Sequence, residues 1–86
     1  VEVIVKEYDF YNCLVRVVED DHRDKSGEID GKCYGYQIIY PGDIVIYGRS
    51  WWYSINDCLE GAIYDICDGD VSMIRELKLR IVFDEI

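Results

Sequence analysis

With 86 residues the chain has room for one hydrophobic core, and a composition that is 50% apolar and 14% aromatic fills that core and argues against disorder. Eighteen acidic residues against nine basic ones give a formal charge of −9. Such a surface repels nucleic acid and anionic membrane, because phosphate binding needs Lys and Arg, and it attracts basic protein surfaces.

The opening run V-E-V-I-V-K (1–6) predicts a short strand with Val1, Val3 and Val5 on one face. Residues 8–12 read as a turn or bulge with aromatic cover, and C-L-V-R-V-V-E (13–19) as a stronger, β-branched strand pairing with the first. Between Asp20 and Gly31 the chain is polar, mixed in charge and closed by glycines, which predicts a mobile loop. Its carboxylates invite a calcium or magnesium reading. The spacing of Asp20 and Asp24, the intrusion of Arg23 and Lys25, and the position of Gly27 depart from an EF-hand loop, so a solvated loop is expected.

Residues 32–40 and 43–48 predict a hairpin, with Pro41-Gly42 central in a type II turn, where proline fixes φ and glycine takes the positive φ that follows. Tyr34, Tyr36 and Ile38 share one face. Apolar residues on both faces of the hairpin place it at the sheet centre or under a cover.

Ser54 to Cys67 predicts the main helix. Ser54 caps it, with Asp57 three residues on. Ile55, Cys58, Leu59, Ala62, Ile63, Ile66 and Cys67 form a continuous apolar stripe, and Gly69 suits the left-handed stop. Two features break local rules: Gly61 costs about 1 kcal/mol against Ala in a helix interior, and Asp65 and Asp68 crowd the end where the helix dipole prefers cations. Close approach of another backbone would explain Gly61. Residues 71–76 are ambiguous, and alternation of Leu77, Leu79, Ile81 and Phe83 predicts a closing strand over 77–84. The order of elements gives an α+β fold: a single domain over 1–86, with a mostly antiparallel four- to five-stranded sheet and one main helix packed on one face.

Cys13, Cys33, Cys58 and Cys67 show no C-x-x-C spacing, and His22 is the one histidine. No metal site or cofactor is expected from them. Cys58 and Cys67 fall on the apolar stripe of the helix, where a thiol behaves as a small hydrophobe. With no signal-peptide-like opening and no long apolar run, reduced cysteines and a cytoplasmic protein are expected. Catalysis has little support, since His22 has no nucleophile near it in sequence, and no enzyme is expected.

Two features carry the candidate site. Trp51-Trp52-Tyr53 joins the hairpin to the helix; successive side chains of an extended segment point opposite ways, so one Trp is expected under the helix and the other outward as an interface anchor. From Ser50 to Ile74 there are five acids (Asp57, Glu60, Asp65, Asp68, Asp70) and no base. On the helix, Asp57, Glu60 and Tyr64, with Asp68 beyond, occupy neighbouring turns of one face. Trp51, Trp52, Asp57, Glu60, Tyr64, Asp65 and Asp68 are therefore the candidate partner-binding residues, and a basic protein the candidate partner. A core tryptophan beside a merely solvated acidic face is the plainer reading of both.

From Cys33 to Gly69 the run of a strand hairpin into S-I-N-D-C-L-E-G-A (54–62) resembles the HicB antitoxin family, whose members enter a helix through a small polar residue followed by acids and alanine. The glycine-rich signature of that family is replaced here by Ser50-Trp51-Trp52-Tyr53, and no recognisable DNA-binding segment follows Gly69. The short, acidic, aromatic-rich profile is also similar to that of phage-encoded inhibitors of host defence, anti-CRISPR proteins and other DNA mimics among them. The expected function is an acidic protein-binding module that blocks a basic nucleic-acid-binding surface. The alternative is an antitoxin-like or accessory module that binds through its sheet edge. Homodimerisation through that edge stays open under either.

Overall fold

Four strands in the order β1-β2-β3-β4 form an antiparallel meander in the computed structural model, which describes residues 2–48 and 50–84 (of 82–84, the backbone). β1 (Val3–Phe10) and β2 (Cys13–Arg23) pair as the sequence leads one to expect. The turn between them is tighter than predicted: β1 runs on through Phe10, and only Tyr11 and Asn12 reverse the chain, both at positive φ as a two-residue hairpin requires. Tyr8 and Phe10 thereby become core residues, their rings stacked with centroids 5.5 Å apart. Val1, expected on this strand, lies outside the described residues.

The expected loop over 20–31 is mostly strand. β2 extends to Arg23, β3 (Ile29–Tyr40) begins at Ile29, and a short turn joins them. Asp24 organises that turn, its Oδ1 accepting from the amides of Ser26 (2.9 Å) and Glu28 (3.0 Å). Cross-strand pairing of Asp21 with Lys32, joined by a 2.6 Å ion pair, lets this polar stretch stay in the ladder. Composition signalled a loop, and pairing overrode it. Among the described residues no group of three or more His, Cys, Asp or Glu is arranged to hold a metal ion.

β4 (Ile44–Tyr47) completes the sheet. Gly42 takes the expected positive φ, and so does Asp43 (φ 62°). The expectation of a central or covered hairpin holds for β3 alone: β4 is an edge strand whose four residues are all exposed. Beyond it the chain keeps to β3, Trp52 exchanging two backbone hydrogen bonds with Tyr34 (2.7 and 2.9 Å).

α1 (Ile55–Cys67) buries Cys58, Leu59, Ala62, Ile63 and Cys67 against the sheet face that presents Val15, Val17, Tyr36 and Ile38. Ser54 Oγ accepts from the Asp57 amide (3.1 Å), which is the predicted cap. The left-handed stop begins one residue early, at Asp68 (φ 48°), and continues at Gly69. The predicted closing strand is a helix. α2 (Val71–Asp84) starts where Asp70 Oδ1 accepts from the Met73 amide (3.1 Å), and it buries Ile74, Leu77 and Ile81. Those positions recur at helical period. Leu79, which made the alternation look like a strand, is exposed. The architecture is thus α+β with a four-stranded antiparallel sheet and two helices, not a fifth strand. No helix is long and apolar enough to cross a membrane among the described residues. All four cysteines are buried as free thiols.

Candidate protein-binding face

The Trp pair divides as an extended segment dictates. Trp52 turns inward, half-buried against the core, with its ring centroid 5.5 Å from that of Tyr36. Trp51 turns to the opposite sheet face and lies over Gly35, where a Cβ would stand 3.3 Å from its ring. Val18, directly across the ladder from Gly35, is buried, while Trp51 itself stays 48% exposed. Trp52 thus packs inward and Trp51 faces outward, as expected of successive residues in an extended segment. Tyr53 follows, 75% exposed, with its ring edge-on to His22 at 5.2 Å between centroids.

Gly61 breaks the helix rule for a reason the structure supplies. A Cβ there would stand 2.7 Å from Cζ2 of Trp52. The close neighbour is the indole ring, not another backbone.

At 100° per residue the outer face of α1 fans into two flanks. Glu60 and Tyr64 lie on the flank toward α2, Gly61 and Asp65 on the flank toward β3, with Asp57 and Asp68 between. The α2 flank is not purely acidic in space. Lys78 of α2 reaches it, its Nζ 3.2 Å from Glu60 Oε1 and 5.8 Å from the centre of the Tyr64 ring. The stretch without bases in sequence is thus answered by a base from the next helix, which sequence distance hid. Arg49, which bounds that stretch on the other side, lies outside the described residues.

On the opposite flank Asp65 accepts a hydrogen bond from the Tyr36 hydroxyl. Burial, followed by that bond and the charge of Asp65, pushes the Tyr36 hydroxyl far above the ordinary tyrosine range, so it is protonated at any physiological pH. Asp65 nevertheless stays exposed, as do Asp57 and Asp68. These three carboxylates span about 16 Å of helix axis at a 1.5 Å rise. Of the predicted site residues, then, Asp57, Asp65 and Asp68 form an open acidic row, Glu60 and Tyr64 engage Lys78, and Trp51 sits on the far side of the sheet from all of them. Tyr36 and Tyr40, which line a pocket with Trp52 and Asp65, complete the site. Composition gives them only as strand aromatics; the signal available in sequence was Gly61, whose helix cost pointed to a neighbour packed close against it.

Compared with protein-family models, curated proteins and solved structures, the chain matches none.

Proposed function

We propose that the protein is an acidic binding module that docks the Asp57–Asp65–Asp68 flank of α1 on a basic surface of a partner protein, as an inhibitor that imitates nucleic acid. The observation that carries this reading is the open row of carboxylates beside the exposed Tyr64 ring, on a chain of formal charge −9. The helix holds the charges on one rigid face, about 12 Å and about 4.5 Å apart along its axis, and the net charge speeds encounter with a cationic surface. The site requires no catalytic group, and the reading is non-enzymatic. Capture of partners on the tagged protein at low and high salt, with and without competing DNA, tests it. Recovery of a basic nucleic-acid-binding protein, released by salt or DNA and lost in Asp57→Lys/Asp68→Lys, is the expected result. A partner retained at high salt and by the double variant rejects it.

A second reading, an antitoxin-like or accessory module binding through its sheet edge, is favoured by the uncovered β4, where Tyr47 is 65% exposed. Salt-resistant binding lost on substitution of Tyr47 supports that alternative.

A further inference from the structure

Between α1 and the β3–β4 edge lies a pocket of about 580 Å³, whose lining includes Tyr36, Tyr40, Ile46, Ser50, Trp52 and Asp65. Its size is within the range of small-ligand sites. Two glycines make its walls possible. A Cβ on Gly61 would strike the Trp52 ring at 2.7 Å, and one on Gly48 would strike the Tyr36 ring at 2.6 Å. Gly61 is kept at a cost to α1, and its effect is to let the indole lie against the helix and face the pocket.

We infer that this pocket takes the guanidinium of an arginine side chain from the partner, and this rests on the proposed docking of a basic surface. Aromatic faces attract cations through the ring quadrupole, and the attraction grows where water is excluded. Asp65 adds a negative charge at the wall. The Tyr36 hydroxyl donates to its Oδ2, which fixes the carboxylate and leaves Oδ1 to accept from a ligand. Carboxylate and Ser50 hydroxyl both reward a cation that has N–H donors, which a quaternary ammonium lacks. A planar guanidinium also stacks on a ring while its edge reaches a carboxylate, a geometry the compact ammonium of lysine does not match. Arginine is the cation a nucleic-acid-binding surface offers most readily for such recognition.

The experiment needs no partner. N-acetylarginine methylamide is titrated into the isolated protein, read by tryptophan fluorescence and by amide chemical shifts, with N-acetyllysine methylamide, tetramethylammonium and free arginine as parallel probes. Saturable binding of the capped arginine is expected, with shifts at Trp52, Gly61 and Asp65. It should weaken about tenfold in Asp65→Asn, which keeps an oxygen for Tyr36 but removes the charge. Ile46→Lys, at a pocket-lining edge position that is 45% exposed, provides a second variant that leaves the buried core alone, and by placing a like charge beside the site it too should weaken binding. Absence of saturable binding, or equal binding by Asp65→Asn, overturns the inference. Tighter binding of tetramethylammonium overturns the guanidinium assignment, and tighter binding of free arginine overturns the side-chain source. Asp57 and Asp68 do not line the pocket, so loss of partner capture in Asp57→Lys/Asp68→Lys with arginine binding intact separates the acidic-row reading from this one.

Discussion

The indole of Trp52 occupies the place where any side chain at Gly61 would begin, 2.7 Å from the Cβ position. Two opposed effects meet there. Replacing glycine by alanine inside a helix stabilises it by about 1 kcal/mol, whereas forcing an atom into a packed ring contact costs about 1–3 kcal/mol. Trp52 has little freedom to retreat, because both its backbone groups bond to Tyr34. Gly61→Ala is therefore expected to destabilise the fold by about 1 kcal/mol net and to shift tryptophan emission. Combining it with Trp52→Leu should restore the ordinary helix gain of alanine. Urea titrations of the two single variants and the double variant decide this; a stabilised Gly61→Ala single variant refutes the packing account.

Leu77 and Leu79 distinguish the helix from the strand that alternation predicts. Leu77 is 0% exposed and Leu79 is 53% exposed. In a strand both would share a face and a fate. On α2 they are 200° apart, so Leu77→Ala should cost about 2–4 kcal/mol and Leu79→Ala within about 0.5 kcal/mol. Similar losses at both positions in chemical denaturation would restore the strand.

How far the sequence is legible follows from the same contrast. Pairing of β1 with β2, the Pro41-Gly42 turn, the Ser54 cap and the α1 stripe are all set by neighbours a few residues apart, and the structure keeps each of them. A strand and a helix are both compatible with the α2 sequence, because Leu77, Leu79 and Ile81 fit a two-residue period as well as Ile74, Leu77 and Ile81 fit a helical one. Asp70, which caps α2, held the local information that resolves the tie. The candidate site is less legible. Its acids and tryptophans stand in the sequence, but Lys78 reaching Glu60 and Tyr36 reaching Asp65 depend on how α1 seats between α2 and β3. No local pattern encodes that.

Cys58 is wholly buried on the core side of α1, and burial pushes its thiol up to about 12 from 9.0. The folded state therefore holds this proton more tightly than the unfolded chain. Its contribution to stability is fully present below pH 9, and it is lost as pH rises from about 9 toward 12. Tyr36, raised in the same direction, adds to the loss at still higher pH. Unfolding free energy measured from pH 7 to pH 11 should fall on the alkaline side, with a shallower fall in Cys58→Ala. The thiol should also resist alkylation at pH 8 until denaturant is added, since the thiolate is the reactive form. Rapid native-state labelling of Cys58 would contradict its placement.

The β4 edge invites pairing with another strand. Gly48 donates to the Tyr36 carbonyl across the ladder (2.8 Å), so by antiparallel alternation Ile44 and Ile46 also direct their backbone groups inward, toward β3. Val45 and Tyr47 then direct theirs outward, and their side chains lie on the sheet face away from the helices. Over its whole length this edge carries no charged residue, the usual guard against strand addition. Val45→Lys/Tyr47→Lys places two charges where a neighbouring strand would lie, at positions that contribute little to the core. Sedimentation velocity across a range of protein concentrations should show wild type associating more than this variant, with thermal stability nearly unchanged. If both sediment as monomers at every concentration, the net charge of −9 alone suffices to keep copies apart, and the edge does not drive self-association.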